Sequence, residues 1–346
     1  MKRIGYLMEK MMTEQNFVRA ERLLGKNKRN NRKAKKISAK AEKYGKRLFE
    51  LVKSGRFHFH KNREITIHDS YKGKTRNLKI PCLMDQAVQL AWLNIATPYI
   101  EKKNYYYNCG SVPGAGQTRS VKAIKKWLRN PANKYGAVTD IRKFYDTCPH
   151  SVIRRGLERI FKDRDFVDFG MEIVGSMSDN GVGIAIGFPS SHWFANVALM
   201  ELDHQIKQRF PKVMYTRYMD DMGLVSSNRR RLRRAVEFIK ATIEEYGMRL
   251  KKWSVFVISG RGLTFLSYRF FFRKTIMCKK LMFRISRKAK KTSVNMTAHN
   301  AKAMISYFGI LKWCDSFNFR KDRVYPFVSF RTLKKIISQA DKRRMA

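Results

Sequence analysis

The chain has 346 residues, 44% of them apolar and 12% aromatic, and 74 Lys and Arg against 27 Asp and Glu give it a formal charge of +47. That apolar content excludes a disordered basic tail, and the length suits two or three subdomains around a connected core. The charge points to a polyanionic partner, nucleic acid first, because each neutralised phosphate releases counterions; a basic ribosomal-type or histone-like protein without chemistry satisfies the same balance.

In chain order, residues 26–47 (KNKRNNRKAKKISAKAEKYGKR) are helix-compatible and poor in apolar side chains. They predict a solvated, phosphate-contacting helix or a segment ordered only by RNA. Residues 56–80 alternate and carry β-branched side chains on either side of YKGKT, which predicts a β-hairpin with basic residues at its tip. Asp85 to Ile100 reads as an apolar helix. Gly110–Gly116 (GSVPGAG) reads as a loop, with Thr118 or Ser120 capping the helix that follows. A short buried strand is predicted over 135–141, then helices near 150–161 and 165–178. The Gly-rich NGVGIAIGFPSS leads to a helix over 191–208, capped by Ser190 or Ser191. Residues 213–227 predict two strands with Asp220-Asp221 at their tip, and a helix over 229–246 stops at Gly247. Strands follow near 249–258 and 263–272, and 284–346 is basic and mostly helical.

Five scattered cysteines (Cys82, Cys109, Cys148, Cys278, Cys314) with no C-x-x-C predict a reducing compartment and no zinc ribbon. No signal peptide or bilayer-length apolar run stands out, so a cytoplasmic location without a membrane is expected.

Two adjacent acids between apolar strands are costly unless cations neutralise them. On its own the dipeptide Asp220-Asp221 is accounted for by an Asp-rich turn. Asp140, ending a separate apolar strand, changes the weighing. Three acids on neighbouring strands of one sheet suit two Mg²⁺ ions, which take carboxylate oxygens plus substrate phosphates and drive an in-line displacement by a 3′-hydroxyl.

RYMDDMGLV (217–225) resembles the Y-x-D-D hairpin of reverse transcriptases, and TDIRKFYDT (139–147) resembles their first catalytic strand. TRNLKIPCLMDQAVQLAW (75–92), GIAIGFPSSHWFANVAL (183–199), LKKWSVF (250–256) and RGLTFLSYRFF (261–272) resemble further blocks of that family, in order. The resemblance implies an α+β right-hand polymerase fold with fingers, an RRM-like α/β palm and a helical thumb. The basic N-terminal region and fingers would span 1–134, the palm 135–272 with finger-contributing helices at about 150–180, and the thumb 273–346. It implies an RNA-directed DNA polymerase with two Mg²⁺ ions (Mn²⁺ as substitute), an RNA template, a DNA or RNA primer and deoxynucleoside triphosphates. KRIGYLMEK, GVGIAIG, Trp253-x-Val255 and SYFGILKWCDSFN (306–318) are similar to the reverse transcriptases of bacterial and phage diversity-generating retroelements. There, as here with Ile186, the Gln that usually precedes the middle-segment Gly is absent. Ser191-His192 departs from that subgroup's usual Ser-Gln.

By that resemblance Asp140, the Ile141 carbonyl, Asp220 and Asp221 hold metal, and Arg76 and Lys79 clamp the triphosphate, roles that suit a bidentate guanidinium and a point-charge ammonium. Tyr145 is the aromatic gate against a 2′-hydroxyl. Ile186 and Gly187 contact the nucleotide, with error-prone copying implied. Lys251 and Lys252 compete as proton donor to pyrophosphate. Tyr218, Met219 and Arg261 face template and primer. His58 and His60, two apart, would share a strand face, which suits a metal, but no Cys lies nearby and a third ligand such as His68 would have to fold back, so they read first as plain strand residues with Phe57 and Phe59 on the buried face and metal binding as the lesser alternative; His192 reads as a capping or packing residue. Trp313, Tyr307, Phe308 and their basic neighbours suit a thumb on a duplex. A small accessory protein is a further expected partner. An antiviral or retron-like reverse transcriptase, or a non-catalytic maturase-like RNA-binding protein, is the alternative.

Overall fold

The computed structural model describes residues 3–26, 28, 31–69, 74–178 and 180–342. Four helices open the chain: α1 (Leu7–Met11), α2 (Glu14–Leu24), α3 (Arg32–Ala39) and α4 (Ala41–Lys53). The basic stretch predicted as one helix is thus two, broken at Lys40, and part of it lies outside the described residues. Its few small residues are what it packs with. Ala34 and Ala41 are buried, and a Cβ on Gly45 would lie 2.6 Å from the Val18 Cα, so α4 sits directly on α2.

Strands β1 (Arg63–Asp69) and β2 (Lys74–Ile80) pair antiparallel from Arg63↔Ile80 to Asp69↔Lys74, while the predicted basic tip lies outside the described residues. Residues 56–62 precede the strand rather than extend it. Helices α5 (Leu83–Lys103) and α6 (Gly116–Trp127) lead to β3 (Tyr135–Asp140). Because α6 begins at Gly116, neither Thr118 nor Ser120 caps it; the Ser120 hydroxyl instead meets Thr216 Oγ1 at 2.9 Å. Then come α7 (Phe144–Thr147), α8 (His150–Ile160), α9 (Arg164–Gly175) and α10 (Ser191–Arg209). Ser190 and Ser191 also fail as side-chain caps: Ser190 donates to Gln89 Oε1 at 2.9 Å and Ser191 to the Ala185 carbonyl.

The central sheet adds β4 (Met214–Tyr218), β5 (Asp221–Ser226) and, after α11 (Arg229–Glu245), β6 (Val255–Val257), in the antiparallel order β4-β5-β3-β6. The strand predicted at 249–258 shrinks to β6, with residues 249–251 tied to the end of β3 by isolated bonds such as Lys251 N–H to the Asp140 carbonyl at 2.8 Å. After α12 (Ile258–Arg261), the strand predicted at 263–272 is a meander. It consists of β7 (Leu263–Phe265), β8 (Tyr268–Phe270) and β9 (Thr275–Met277), turning through Leu266 and Ser267 at positive φ. Helices α13 (Lys279–Val294), α14 (Ala298–Leu311), α15 (Phe317–Arg323) and α16 (Phe330–Lys342) end the described chain.

The largest core gathers around Trp92 of α5, fully buried and stacked on Phe166 with ring centroids 5.2 Å apart and planes 14° apart. Glycines let helices close on it: a Cβ at Gly170 would lie 2.8 Å from the Trp92 ring, and one at Gly156 2.7 Å from Val197. A second cluster joins α6 to the back of the sheet and the meander, and a third holds the C-terminal helices together. No helix among the described residues is long and apolar enough to cross a membrane.

Candidate active site

Strand register brings the acids together. Asp140, the last residue of β3, lies directly opposite Asp221, the first of β5, and Tyr218 lies opposite Asp221 from the other side. Met219 and Asp220 form the two-residue link between β4 and β5, and Met219 takes the left-handed conformation at φ 56°. That conformation costs a non-glycine residue about 1–2 kcal/mol, so something must hold it.

The holding group lies beneath the turn. Arg217 and Asp203 are both fully buried and paired bidentately, Nε to Oδ1 at 2.8 Å and Nη2 to Oδ2 at 2.6 Å. Nη1 of the same guanidinium donates to the Met219 carbonyl at 2.9 Å. Tyr215 donates to Asp203 Oδ1 at 2.8 Å, and Asn196 receives Arg217 Nη1 at 3.3 Å while donating to the Gly110 carbonyl at 2.9 Å. Gly110 packs on the turn so tightly that a Cβ there would lie 2.3 Å from the Met219 nitrogen. Removing one partner of such a buried charge pair strands the other, so the set stands or falls together. Nothing local in the sequence marks Asp203 as the partner of Arg217; the pairing exists only because α10 runs under β4.

Burial, then the charges of Asp140 and Asp221, push the Asp220 carboxyl up to about 7. Asp140 Oδ2 pairs with the Lys251 ammonium, while its Oδ1 is buried with no hydrogen-bond partner. A crowded carboxylate set with an orphaned buried oxygen is short of positive charge, and its all-oxygen donors fit hard divalent cations. One oxygen from each of the three acids does not yet converge within 4.8 Å; among the described residues the group that does is His60, Cys82 and Asp85.

A cleft of about 410 Å³ opens beside Asp220 and Asp221. Arg76 enters from β2, Tyr145 from α7, Ile186 and Gly187 from the Gly-rich segment, and Tyr218, Met219, Asp220 and Asp221 form the hairpin side. Ser111, Phe188, Ser191 and His192 complete the lining, and the sequence reading assigned none of them to it. His192, read as capping or packing, faces this cleft with its ring 5.1 Å from Trp193, and burial lowers its pKa, so the imidazole is neutral. Burial and the nearby Asp220 charge raise the Tyr145 phenol, which stays protonated.

Gly187 is dictated by its backbone. It sits at φ 123°, and a Cβ would lie 2.4 Å from the Lys79 carbonyl oxygen, while the Lys79 N–H donates to the Ile186 carbonyl at 2.9 Å. The Lys79 side chain, by contrast, turns from the cleft: its ammonium donates to the Met177 carbonyl at 3.0 Å, because β2 alternation puts residues 76 and 79 on opposite faces. Lys251 and Lys252 likewise separate. The first lies on Asp140; the second lines another cavity, of about 380 Å³, with Trp253, Phe256 and Arg261. Arg261 stacks over Phe256 at 4.7 Å and donates to Ser254 at 3.3 Å, away from the acids. Ile141 is buried at the end of β3 and bridges Leu250. His58 and His60 are not strand residues; His60 lies 3.5 Å from Cys82, which corrects the expectation of no nearby cysteine. His68 instead meets Thr75 Oγ1 at 3.1 Å.

Comparison with known proteins completes the picture. Protein YkfC of Escherichia coli (strain K12) is 25% identical over 148 residues, 40% of this chain and 39% of that protein. The retron Ec73 reverse transcriptase of Escherichia coli is 26% identical over 167 residues, 42% of this chain and 51% of that enzyme. The chain thus matches about half or less of the length of these curated relatives. Among solved structures, a telomerase from Candida albicans superposes with a TM-score of 0.48 at 13% identity, covering 74% of this chain and 56% of that one. Residues 60–270 match the family described as reverse transcriptase (RNA-dependent DNA polymerase), a stretch that contains the sheet, the acid-bearing hairpin and the cleft. An α+β chain matched over more than half its length, it belongs to the reverse transcriptase family.

Proposed function

We propose that the chain is an RNA-directed DNA polymerase that makes cDNA from an RNA template by two-metal-ion nucleotidyl transfer. The observation that carries this is the strand register that sets Asp140 opposite Asp221, next to Asp220, at a cleft that Asp220, Asp221 and Arg76 line. Asp140, Asp220, Asp221 and the Ile141 carbonyl are the groups to hold Mg²⁺, with Mn²⁺ as substitute. Bound divalent cations supply Lewis-acid activation of the primer 3′-hydroxyl and neutralise the leaving pyrophosphate. Arg76 binds the triphosphate through its planar fork. Tyr145 packs against the sugar and excludes a 2′-hydroxyl. Lys251, already beside the acids, is better placed than Lys252 to give a proton to the departing pyrophosphate oxygen. Tyr218 and Met219 face the primer terminus. The fingers span 1–134, the palm 135–272 and the thumb 273–346. Lys312 of the thumb and Lys122 of α6 lie 5.9 and 5.1 Å from the Trp313 ring, giving a mixed aromatic and cationic surface for a duplex.

Within that activity we favour an error-prone enzyme of a diversity-generating retroelement, aided by a small accessory protein. Ile186 lines the cleft and offers the nascent pair contact without hydrogen-bond orientation. A retron-like or antiviral role is the second reading, favoured by the likeness to the retron Ec73 enzyme. Primer extension on an RNA template with Mg²⁺, comparing wild type with Asp220→Ala and sequencing the products, tests both levels. Extension lost in the variant is expected, with errors concentrated at template adenines. Sparse uniform errors would favour the retron-like role. No extension by wild type even with native RNA and helper supplied would leave a maturase-like RNA-binding protein.

A further inference from the structure

Away from the cleft, His60, Cys82 and Asp85 bring three unlike donor atoms within 4.8 Å of one another. The His60 ring Nδ1 lies 2.7 Å from Asp85 Oδ1 and 3.5 Å from Cys82 Sγ. Zinc bonds of about 2.3 Å to sulfur and 2.0–2.1 Å to nitrogen put those two atoms about 3.5 Å apart on a tetrahedron. The sulfur–nitrogen edge is therefore already at its liganded length. The nitrogen–oxygen edge is at hydrogen-bond length and would open by about 0.6 Å when a cation replaces the shared proton. The exposed His60 ring has room for that movement.

We propose that these three side chains form a second cation site, for Zn²⁺ or another borderline transition metal, that staples the base of the β1–β2 ribbon to α5. The donor chemistry separates it from the acids in the cleft: a thiolate and an imidazole select zinc-like ions over Mg²⁺. Charge closes as well, since one thiolate, one carboxylate and a neutral imidazole balance a divalent ion. The Asp85 side chain is buried and its second oxygen accepts the His60 backbone N–H at 3.0 Å, which fixes the carboxylate while leaving the first oxygen turned to the other donors. Placement gives the staple a purpose. The ribbon's last pair is Arg63↔Ile80, so residues 60 and 82 lie just beyond the two strand ends, and the ribbon makes its strand pairs only with itself. Water from the exposed side completes the tetrahedron. The helix α5 N-terminus opposes a cation there, and the two anionic ligands must overcome it.

Titration of the full-length protein with Co²⁺ alone, followed in the near ultraviolet and visible, tests the site. A thiolate-to-cobalt charge-transfer band saturating at one equivalent is expected in wild type and in Cys278→Ser. Cys82→Ser, which keeps a helix-capping side chain, loses the band, and Zn²⁺ in excess displaces it from wild type. Amide exchange over 63–69 and 74–80 slows on Zn²⁺ addition to wild type and not to Cys82→Ser. No thiolate band in wild type, or a band unchanged in Cys82→Ser, overturns the site and leaves the trio as a hydrogen-bonded clamp.

Discussion

Two hairpins face the same cleft and are built on opposite principles. The β4–β5 hairpin is part of the four-stranded sheet, joined to it through β3, and its tip is held from below by a fully buried ion pair, Asp203 and Arg217, that reaches the Met219 carbonyl. Among the described residues the β1–β2 ribbon makes strand pairs only with itself, is tied to the Gly-rich segment by the Lys79 N–H on the Ile186 carbonyl, exposes Ile67 at 47%, and brings Arg76 to the cleft from an arm rather than a floor. The contrast separates two tasks. Carboxylates that repel one another need a frame that cannot relax, whereas a side chain that closes on a ligand gains from an arm that can move.

Breaking the frame has the largest expected effect. Asp203→Ala or Arg217→Ala strands a buried charge and should cost about 3–5 kcal/mol in denaturant unfolding. The double variant Asp203→Leu with Arg217→Met should recover most of that stability. Extension activity should stay low in it, because nothing then holds the Met219 carbonyl. Recovery of activity along with stability would show that the turn needs no anchor.

The arm is tested by its two basic residues. Arg76→Ala should raise the KM for deoxynucleotides about 10- to 100-fold, the loss of a charge-assisted contact of about 1.5–3 kcal/mol. Lys79→Ala should change it less than about twofold, since its ammonium serves the Met177 carbonyl. Equal effects would mean that the ribbon rearranges on binding. Gly187→Ala, which joins arm to floor, should cost about 1–3 kcal/mol from strain at positive φ and the clash with the Lys79 carbonyl, read as a lower Tm.

Proton linkage sharpens the floor. Asp220 is pushed up to about 7 from an ordinary 3.8, so the folded metal-free protein binds this proton more tightly than the unfolded chain. That stabilisation is full below about pH 4 and is lost as pH rises through about 7. The Tm of metal-free protein should therefore fall across that window beyond the trend of Asp220→Asn, and saturating Mg²⁺ should flatten the difference. The smallest effect belongs to the arm's outer face: Ile67→Thr should shift unfolding by no more than about 0.5 kcal/mol.

Much of this was legible in the residues themselves. Apolar content marked the buried helices, and short apolar runs ending in acids marked β3 and the β4–β5 hairpin, because a strand buried within a sheet is written as a continuous apolar run. Asp140, Asp220 and Asp221 stood out since neighbouring acids between apolar strands repel one another and are costly to keep together. Local signals failed where a partner came from far along. Ser120 and Ser190 looked like caps but bond Thr216 and Gln89. Lys79 looked like a clamp, yet strand alternation turned it outward. Only the tertiary structure decided that Arg217 is met by Asp203, that Lys251 rather than Lys252 reaches Asp140, and that Cys82 stands beside His60. Sequence determines which side chains a segment buries and which chemistry it carries. Which two distant segments share a low-dielectric contact depends on how helices and strands stack, and no local pattern records that.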